Sequence, residues 1–492
     1  MSQLSVLAAG LPSGPLRLVH RYGGRPVDGV PALQTVNPAR IHEVVSEVPM
    51  MDAVELESAA STLRARGAGW ARTSVVARGD CLLAAARLLQ ANLETIAVLV
   101  TREMGKTLGE ARAETAVAVR VLEYYGSLGR QPVGHHLPDL RAGVRVVTER
   151  QPLGAVALIT PWNDPVLTPV RKIAPALLCG NAVLFKPAES TAAVAGALVE
   201  ILTEAVVPAE VVDLVFASGD ATGRFLANTN HLDAVSFTGS TAAGRRVVAS
   251  VAGRGVRVQA ELGGKNAVVV HGDADLDRAV KLIMTAAFGQ TGQRCSATSR
   301  LLVHESVHDK LVADLAGRAG RLRVGDGLRP DTDLGPVANP AQFDRVVSAL
   351  SQAPAARCVT GGHRLTDGEY AEGLFVAPTI VDDVTLDSPL WTDEVFGPVL
   401  SVRTFADLDQ AIGLVNASGY GLTSSIFTNS LHAAHRFVRE VQVGNVSVNL
   451  GTMGWDVHLP FGGVKASGLG QKEQGQAALD FYSTVKTVAW GF

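Results

Sequence analysis

The stretch GAVALITPWNDPVLTPVRKIAPALLCGNAVLFKP, residues 154–187, has the pattern of one strand–helix–strand unit. Its short apolar runs predict buried strands at 155–159 and 182–186, and the segment between them predicts a helix at 165–178. A helical crossover of this length joins neighbouring parallel strands. The stretch therefore predicts an α/β fold built on a parallel sheet.

The predicted helix carries signals at both ends. Asp164 followed by Pro165 is typical of an N-cap and a first helical residue. Gly180 is typical of the residue that ends a helix. These residues predict that the crossover helix is tightly delimited.

The same alternation extends in both directions from this unit. Further apolar runs, VVDLVFA and DAVSFTG, alternate with helical segments of about a dozen residues, as βαβ units do. Residues 52–122 show helical spacing and are rich in Ala and Leu. A second alternating region begins at 261–270, and its helix, DLDRAVKLIMTAAFG, leads directly to Cys295.

Two further segments alternate as edge strands do: GVRVVTER at 143–150 and DFYSTVKTVAW at 480–490. Paired edges hide unsatisfied backbone groups. We expect these two strands to pair between subunits.

Length and composition describe an ordinary globular protein. The 492 residues predict two or three lobes, and a formal net charge of -3 with 18% charged residues indicates neither nucleic-acid binding nor an acidic tail. Four scattered cysteines favour a reducing, cytoplasmic location over a disulfide framework. No apolar run approaches the roughly 20 residues of a membrane span, and the N-terminus lacks a basic start. We expect a soluble protein that is not exported, and we predict no metal site.

Cys295, in GQTGQRCSATSR (289–300), is the first candidate for chemistry. A lone cysteine is more often a small buried residue than a nucleophile. Gly289 and Gly292 permit close approach, and Arg294 adds positive charge if it faces inward. On these grounds a thiolate at Cys295 is plausible, and packing and catalysis remain equally open.

Two polar residues at predicted strand ends are candidate partners. Glu261 precedes a glycine pair, and an apolar neighbourhood would raise its pKa into the range of a general base. Asn163 follows the 155–159 strand and its amide suits an oxyanion, as does the Cys295 N–H. The simpler alternatives are a turn residue at Glu261 and a turn support at Asn163.

Weaker patterns indicate a nucleotide. FTGSTAAGR (237–245) predicts a strand, a turn and a helix start that suit an anion. ASGDATG (217–223) holds an incomplete glycine pattern at Gly219 and Gly223. In FKPAES (185–190), Lys186 and Glu189 follow a strand, where an acid accepts from a ribose hydroxyl.

Seven motifs are spread along the chain, and their shared feature is their order and spacing. They are TPWN (160–163), FKPAES (185–190), FTGS (237–240), ELGGK (261–265), GQRC (292–295), EVFGPV (394–399) and PFGGVKASG (460–468). Together they resemble the NAD(P)-dependent aldehyde dehydrogenase superfamily over nearly the whole chain. The resemblance implies a Rossmann-like cofactor domain, an α/β catalytic domain and a small β oligomerisation unit.

The resemblance implies a role for each matched residue. Cys295 would attack the aldehyde to give a thiohemiacetal and then a thioester, Asn163 would hold the oxyanion, and Glu261 would activate the hydrolytic water. Lys172 would help shape the catalytic cleft. The residues implied for the cofactor are Thr160, Pro161, Trp162, Lys186, Glu189, Gly219, Gly223, Phe237, Gly239, Ser240, Leu262, Glu394 and Phe396.

Departures from near relatives refine the activity. Glu261 argues against the branch that transfers its acyl group to coenzyme A, and Glu189 favours NAD while leaving NADP possible. GQRCSATSR, with GWDVHLPFGG and KEQG (472–475), is most similar to the α-ketoglutaric semialdehyde dehydrogenase branch. Two competing functions are a non-catalytic relative of the fold and a reductase acting on a thioester.

The aldehyde pocket is implied at the segment after TPWN. Arg171 occupies a position that is an arginine in succinic semialdehyde dehydrogenases, although their second arginine is Gly289 here. We expect Arg171, with Arg300 or His458, to bind an acid at the far end of a semialdehyde, and Arg294 and Ser296 to form pocket walls. Asp164 is either the N-cap described above or a substrate ligand, which would favour an aminoaldehyde. A general aliphatic or aromatic aldehyde is a further alternative.

The resemblance also implies an assembly. It places an NAD(P)-binding domain at 1–132 and 152–260, a catalytic domain at 261–478, and oligomerisation strands at 133–151 and 479–492. Such strands join a neighbouring sheet in homodimers or homotetramers of the family, which hides sheet edges.

Overall fold

The predicted strand–helix–strand unit lies at the centre of an eight-stranded sheet. The computed structural model describes residues 14–131, 134–205, 207–351 and 357–492. Residues 1–13, 132 and 133 of the predicted domains therefore lie outside the described residues. The sheet runs in the order β22 (Gly468–Leu469), β12 (Arg257–Glu261), β11 (Ala234–Thr238), β8 (Ala155–Ile159), β9 (Ala182–Lys186), β10 (Val212–Leu214), β2 (His20–Tyr22) and β3 (Arg25–Val27). Its five central strands are parallel, which confirms the predicted α/β class.

The crossover helix α5 (Leu167–Leu178) starts later than predicted. Gly180 ends it with φ +92°, as expected, but the N-cap position is Val166 and no side chain of its own caps the helix. The Glu114 carboxylate instead accepts the backbone N–H groups of Val166, at 2.8 Å, and Leu167, at 3.0 Å. The prediction of an Asp164 N-cap is wrong, because that carboxylate is bound by Lys106 and Gln290.

The predicted helical region forms consecutive helices, of which the first packs on one face of this sheet and the next three belong to the core on the opposite face. They are α1 (Ala53–Arg72), α2 (Val75–Ala91), α3 (Leu93–Met104) and α4 (Leu108–Leu128), followed after the crossover by α6 (Ala192–Glu204), α7 (Gly219–Asn228) and α8 (Thr241–Val251). Asp52 with Glu55, and Thr107 with Glu110, form capping boxes at the starts of α1 and α4. Within the described residues no single helix has the length and apolar content to cross a bilayer, and α2 and α3 meet that test only together, across a 72° bend.

A second, seven-stranded sheet follows the first in the chain. Its order is β15 (Arg357–Thr360), β16 (Thr379–Asp382), β17 (Val399–Phe405), β14 (Thr298–His304), β13 (Asn266–Val270), β19 (Thr423–Phe427) and β20 (Asn445–Val448). Its helices are α9 (Leu276–Phe288), α10 (His308–Ala319), α11 (Pro340–Ser351), α12 (Pro389–Thr392), α13 (Leu408–Asn416) and α14 (Leu431–Glu440). The last helix, α15 (Gly475–Tyr482), packs instead against α5 in the core of the first sheet. Strand β13 and helix α9 confirm the second alternating region that leads to Cys295.

The two predicted edge strands pair with each other within the chain. Strand β7 (Val144–Pro152) is antiparallel to β23 (Ser483–Gly491), and β6 (His136–Leu137) completes a three-stranded sheet in which β23 is an outer strand. The remaining strands are β1 (Leu16–Arg17), β4 (Pro31–Asn37) and β5 (Arg40–Pro49) in one sheet, and β18 (Tyr420–Gly421) with β21 (Val464–Lys465) in another. The pairing of β7 with β23 is thus internal, contrary to the expectation of pairing between subunits.

Candidate active site

One cavity of about 230 Å³ collects most of the predicted site residues. Its walls come from the turn after β8, the ends of β11 and β12, the loop before β14, and the segment 453–474. The predicted residues lining it are Pro161, Trp162, Asn163, Asp164, Arg171, Gly239, Ser240, Glu261, Leu262, Arg294, Cys295, Ser296, Glu394 and Phe396. Residues of both large sheets therefore meet at one cavity, at the carboxyl ends of the parallel strands where α/β proteins bind ligands.

The loop that carries Cys295 has an unusual backbone. Gln290 and Thr291 both have φ +58°, a left-handed conformation that costs a non-glycine residue about 1 kcal/mol or more. Gly292 follows with φ +66°, and a Cβ there would lie 2.2 Å from the Gly397 carbonyl oxygen. The loop therefore requires glycine at 292 and is held in place by its surroundings.

The surroundings of the Cys295 thiol favour its protonated form. Burial, and after it the charge of Asp164, raises the pKa of the thiol to about 12, while the charge of Arg171 lowers it. Arg294 lines the cavity, but its guanidinium binds the Gln290 side-chain oxygen and lies 4.0 Å from Asp164. The positive charge of Arg294 is thus compensated, and a thiolate at Cys295 stays a prediction.

Glu261 ends strand β12 in a buried position. Burial, and then the charge of Glu473, raises the pKa of its carboxyl well above the ordinary value, as the sequence predicted. Its Oε2 atom has no hydrogen-bond partner among the described residues. A buried acid with a raised pKa and a free oxygen facing a cavity is suited to general-base chemistry.

A buried ion pair lies beside Glu261. The Lys172 ammonium donates to Ser236 Oγ at 2.8 Å and to the Glu473 carboxylate. Thr238 Oγ1 donates to the same Glu473 oxygen at 3.2 Å, and Glu473 also lines the cavity. Sequence reasoning missed Glu473 because a lone glutamate in the polar KEQG segment has no local signal, and only the folding of that segment onto β11 reveals it.

Two donors near the thiol are free. Among the described residues, the Asn163 side-chain amide and the Cys295 N–H bond to no protein acceptor, and Asn163 is buried. Both residues line the cavity. Two free N–H donors beside a nucleophile form an arrangement that can stabilise an oxyanion.

The residues implied for a nucleotide lie in three groups. Ser240 caps α8, whose N-terminus opens on the cavity, and Phe237 and Leu262 pack beneath Gly239 and Gly244. Lys186 donates to Glu189 at 2.8 Å, and the Glu189 carboxylate is partly exposed, beside a second cavity of about 330 Å³ that Trp162 also lines.

On the nicotinamide side of the implied site, Trp162 contacts Phe396 edge-to-face with 5.5 Å between ring centroids. Glu394 accepts the Gly264 N–H at 2.7 Å, and burial raises the pKa of its carboxyl to about 7. Thr160 Oγ1 is buried and has no hydrogen-bond partner in the part of the chain that the structure describes. An unpaired buried hydroxyl, a helix N-terminus and an acid with an accessible oxygen fit the chemistry of a dinucleotide.

Two glycines of the weak pattern are not part of the main cavity. Gly219 and Gly223 lie in the first turns of α7, which Ser218 caps, and a Cβ at either position would meet no atom within 4 Å. The structure therefore supplies no steric reason for glycine at these positions.

The predicted substrate residues separate into two sets. Asp164, Arg171, Arg294 and Ser296 line the cavity. Arg300 does not: it is buried, donates to the Lys265 and Leu414 carbonyl oxygens, and stacks on Trp391. His458 is more than half exposed and lies 3.4 Å from Asp456. The expectation that Arg300 or His458 faces the aldehyde is wrong, because both point elsewhere.

A half-buried thiol and a buried carboxyl that share one cavity beside a dinucleotide-type parallel sheet are the elements of covalent oxidation chemistry. The fold and site together define a cysteine-dependent dehydrogenase. The chain belongs to the aldehyde dehydrogenase family, whose model matches residues 27–488. It is accordingly an oxidoreductase that converts an aldehyde to a carboxylic acid.

Similar proteins are known in several organisms. The chain is 37% identical to alpha-ketoglutaric semialdehyde dehydrogenase of Bacillus subtilis, over 92% of this chain and 93% of the relative. It is 39% identical to 2,5-dioxopentanoate dehydrogenase of Saccharolobus solfataricus, over 93% and 96%. A solved betaine aldehyde dehydrogenase of Staphylococcus aureus in complex with NAD+ superimposes with a TM-score of 0.93 at 29% identity, over 100% and 98%. The named semialdehyde branch is thereby confirmed as the one that the chain resembles.

Proposed function

We propose that this aldehyde dehydrogenase oxidises a small semialdehyde whose far end carries a carboxylate, and that Arg171 binds that carboxylate. The guanidinium of Arg171 lines the cavity that holds Cys295 and stacks on Phe461 at 5.3 Å. Among the described residues it has no acidic partner, and its buried Nε has no hydrogen-bond acceptor. A buried Nε without an acceptor is costly, and a substrate carboxylate would satisfy it.

The charges of the other cavity residues support an anionic substrate. Asp164 is bound by Lys106 at 3.0 Å and by Gln290 at 2.8 Å, so its charge is compensated and unsuited to hold an aminoaldehyde. Arg294 is bound in turn to Gln290 and Asp164. Arg171, unlike Arg294, has no such partner in the described chain. The relatives named for semialdehydes of 2-oxo acids agree with this charge.

The chemistry that we assign to the site follows from its protonation states. The Cys295 thiol gives up its proton to solvent, the resulting thiolate attacks the aldehyde carbon, and the Asn163 amide and the Cys295 N–H donate to the carbonyl oxygen that becomes negative. A bound NAD(P)+ would supply the acceptor for the hydride that leaves the substrate carbon. Glu261, once ionised, takes a proton from the water that hydrolyses the resulting thioester. In the neighbouring ion pair, the charge of Glu473 raises the pKa of the Glu261 carboxyl and the charge of Lys172 lowers it.

The cofactor residues favour NAD, and NADP remains compatible. We assign the adenosine ribose to Lys186 and Glu189, the pyrophosphate to Ser240 and the α8 N-terminus, and the nicotinamide riboside to Glu394 and Phe396. A carboxylate at 189 accepts ribose hydroxyls and repels a 2′-phosphate.

Replacing Arg171 tests the substrate class. Arg171→Leu should lower kcat/KM for ω-carboxylated semialdehydes roughly 10- to 100-fold, which is the effect of losing a charge-assisted hydrogen bond. The kcat/KM for uncharged aldehydes of equal length should barely change. Arg171→Lys keeps the positive charge but cannot form two parallel hydrogen bonds to a carboxylate. Its kcat/KM for ω-carboxylated semialdehydes should therefore lie between those of the parent protein and Arg171→Leu. If the carboxylated and plain substrates lost efficiency in equal proportion, the assignment to Arg171 would be wrong.

Replacing the thiol tests the chemistry itself. Cys295→Ala should form no NADH from any aldehyde while it still binds NAD+, and Cys358→Ala, an exposed thiol far along the chain, should stay active. For both variants, absorbance at the NADH band measures NADH formation, and a binding assay measures the affinity for NAD+. Full activity in Cys295→Ala would contradict the covalent mechanism.

We also propose a cytoplasmic homodimer or homotetramer assembled through the β6–β7–β23 sheet, and we retain the three-part domain division as part of this proposal. The sheet has three strands, and Val485 and Trp490 on its outer strand are more than half exposed. Exposed apolar side chains on an edge strand require a cover. Light scattering should give a mass that is two or four times 51.4 kDa. The double substitution Val485→Lys and Trp490→Lys should reduce this mass. A parent protein that is monomeric would contradict the proposal.

A further inference from the structure

A buried ionic group supports one wall of the cavity. Lys106 is fully buried and donates to Glu114 Oε2 at 2.6 Å and to Asp164 Oδ1 at 3.0 Å. Glu114 also caps α5 through two backbone N–H groups. Burial alone would raise the pKa of Asp164, but the charges of Lys106 and Arg294 hold it well below the usual range, so the carboxylate stays ionised. The turn holding Asn163 and Asp164 is therefore anchored to α4.

Gln290 connects this anchored turn to the loop of the nucleophile. Its Nε2 donates to the Asn163 carbonyl oxygen at 2.6 Å and to Asp164 Oδ1 at 2.8 Å. Its Oε1 accepts from Arg294, the residue before Cys295. Its backbone N–H donates to Glu110 Oε1 at 2.5 Å. Every polar group of the buried side chain is thus bonded, and all its side-chain partners belong to residues 163, 164 and 294.

The left-handed backbone of Gln290 gives this connection its rigidity. A residue with φ +58° is held there by its surroundings, because the isolated chain avoids that conformation. In the described part of the chain, Gln290 makes the only hydrogen bonds that join the 160–165 turn to the 289–295 loop. The hydrogen-bonded connection between the Asn163 turn and the Cys295 loop therefore runs through this one side chain, beside the weaker Arg294–Asp164 ion pair at 4.0 Å.

We propose that Gln290 is a positioning residue that sets the separation of the oxyanion donor Asn163 and the nucleophile Cys295. The inference rests on the oxyanion role proposed above for Asn163. A misplacement of about 1 Å at a reacting centre can lower the rate about 10²-fold even when binding is intact. Gln290 thereby acts through Asn163 and touches neither the aldehyde nor the reacting sulfur.

A double-mutant cycle with Asn163→Ala tests this role. Gln290→Met keeps the length and unbranched shape of the side chain and removes its hydrogen bonds. We expect the pre-steady-state burst of NADH to slow roughly 10- to 100-fold in Gln290→Met, with little change in KM for the semialdehyde or in NAD+ affinity. In an Asn163→Ala background the same change should cost almost nothing further, because the group that Gln290 positions is already absent.

Gln293 supplies the matched control. It is a buried glutamine of the same loop that accepts the Ala338 N–H at 2.9 Å and donates to the Pro336 carbonyl at 3.3 Å and the Gln290 carbonyl at 3.4 Å. Among the described residues it has no hydrogen bond to Asn163. Gln293→Met should therefore combine additively with Asn163→Ala. If Gln290→Met does not fold, Gln290→Asn carries the same test, because Asn tolerates a left-handed backbone and is one methylene too short.

The outcomes separate the two proposals. A slow burst in Asn163→Ala together with a fully additive Gln290→Met would overturn the positioning role alone. An unchanged burst in Asn163→Ala would remove the oxyanion role, and the positioning inference with it. An unchanged burst rate in Gln290→Met would also overturn the inference.

Discussion

At Glu261, one side chain shows how burial prepares a base. Burial raises the pKa of this carboxyl, and the nearby Glu473 raises it further while Lys172 opposes the shift. The acid is consequently protonated at a pH where an exposed glutamate is ionised. Its ability to accept a proton from water should increase as the pH rises.

Replacing Glu261 should separate the two halves of the reaction. In Glu261→Gln, the first turnover should still produce a burst of NADH, whereas steady-state turnover should fall roughly 10²- to 10⁴-fold, because no base activates the hydrolytic water. The rising limb of kcat with pH should disappear with it. Stopped-flow absorbance measures both quantities. Loss of the burst as well would contradict a role confined to hydrolysis.

Among elements, the loop between α9 and β14 is the most constrained. Gly292 adopts φ +66° and lies against the Gly397 backbone, whereas Gly289 adopts φ −51° at the end of α9, where a Cβ would have 3.9 Å of clearance. The two glycines lie three residues apart in the same loop, and only one of them is required by its surroundings.

Alanine at these two positions should therefore have opposite consequences. Gly292→Ala should destabilise the protein by about 2–5 kcal/mol through strain and overpacking, and should abolish activity by displacing Cys295. Gly289→Ala should remain folded and active. Thermal inactivation half-lives and NADH formation measure the difference. Equal behaviour of the two variants would show that the close contact with Gly397 is relieved at little cost.

For the whole molecule, buried acids make stability depend on pH. Asp213 in β10 is fully buried, and its Oδ1 accepts the Gly23 N–H at 3.0 Å while Oδ2 has no partner among the described residues. Burial raises the pKa of its carboxyl from 3.8 to about 7. A raised carboxyl pKa contributes stability that is fully present below about pH 4 and is lost as the pH rises through about 7.

Asp213→Asn should remove this pH dependence. The full shift corresponds to about 4 kcal/mol, from roughly three pKa units at 1.36 kcal/mol each. Relative to the parent protein, the variant should thus gain melting temperature between pH 5 and pH 8, because an amide stays neutral throughout. Asp220→Asn, at an exposed position, should show no such trend. A melting-temperature difference between Asp213→Asn and the parent that is constant with pH would refute the assignment.

Local sequence patterns predict much of the fold. The strands predicted at 155–159 and 182–186 have the same bounds in the structure, because a strand buried on both faces is a continuous apolar run. Asp164 shows the limit: its sequence context is that of an N-cap, but a lysine 58 positions earlier and a glutamine 126 positions later bind its carboxylate. Such long-range partners have no signature in the neighbouring residues.

The sequence by itself determined the α/β class, the family, and the presence of Cys295, Glu261 and Asn163, because periodicity and short motifs are local properties. Only the tertiary structure decided that burial raises the pKa of the thiol, that Arg300 and His458 face away, and that β7 pairs with β23 inside the chain. It alone brought Glu473 to the cavity and Gln290 between the Asn163 turn and the Cys295 loop. Burial and the choice of partner depend on residues that are distant in the chain, and these set pKa values and orientations.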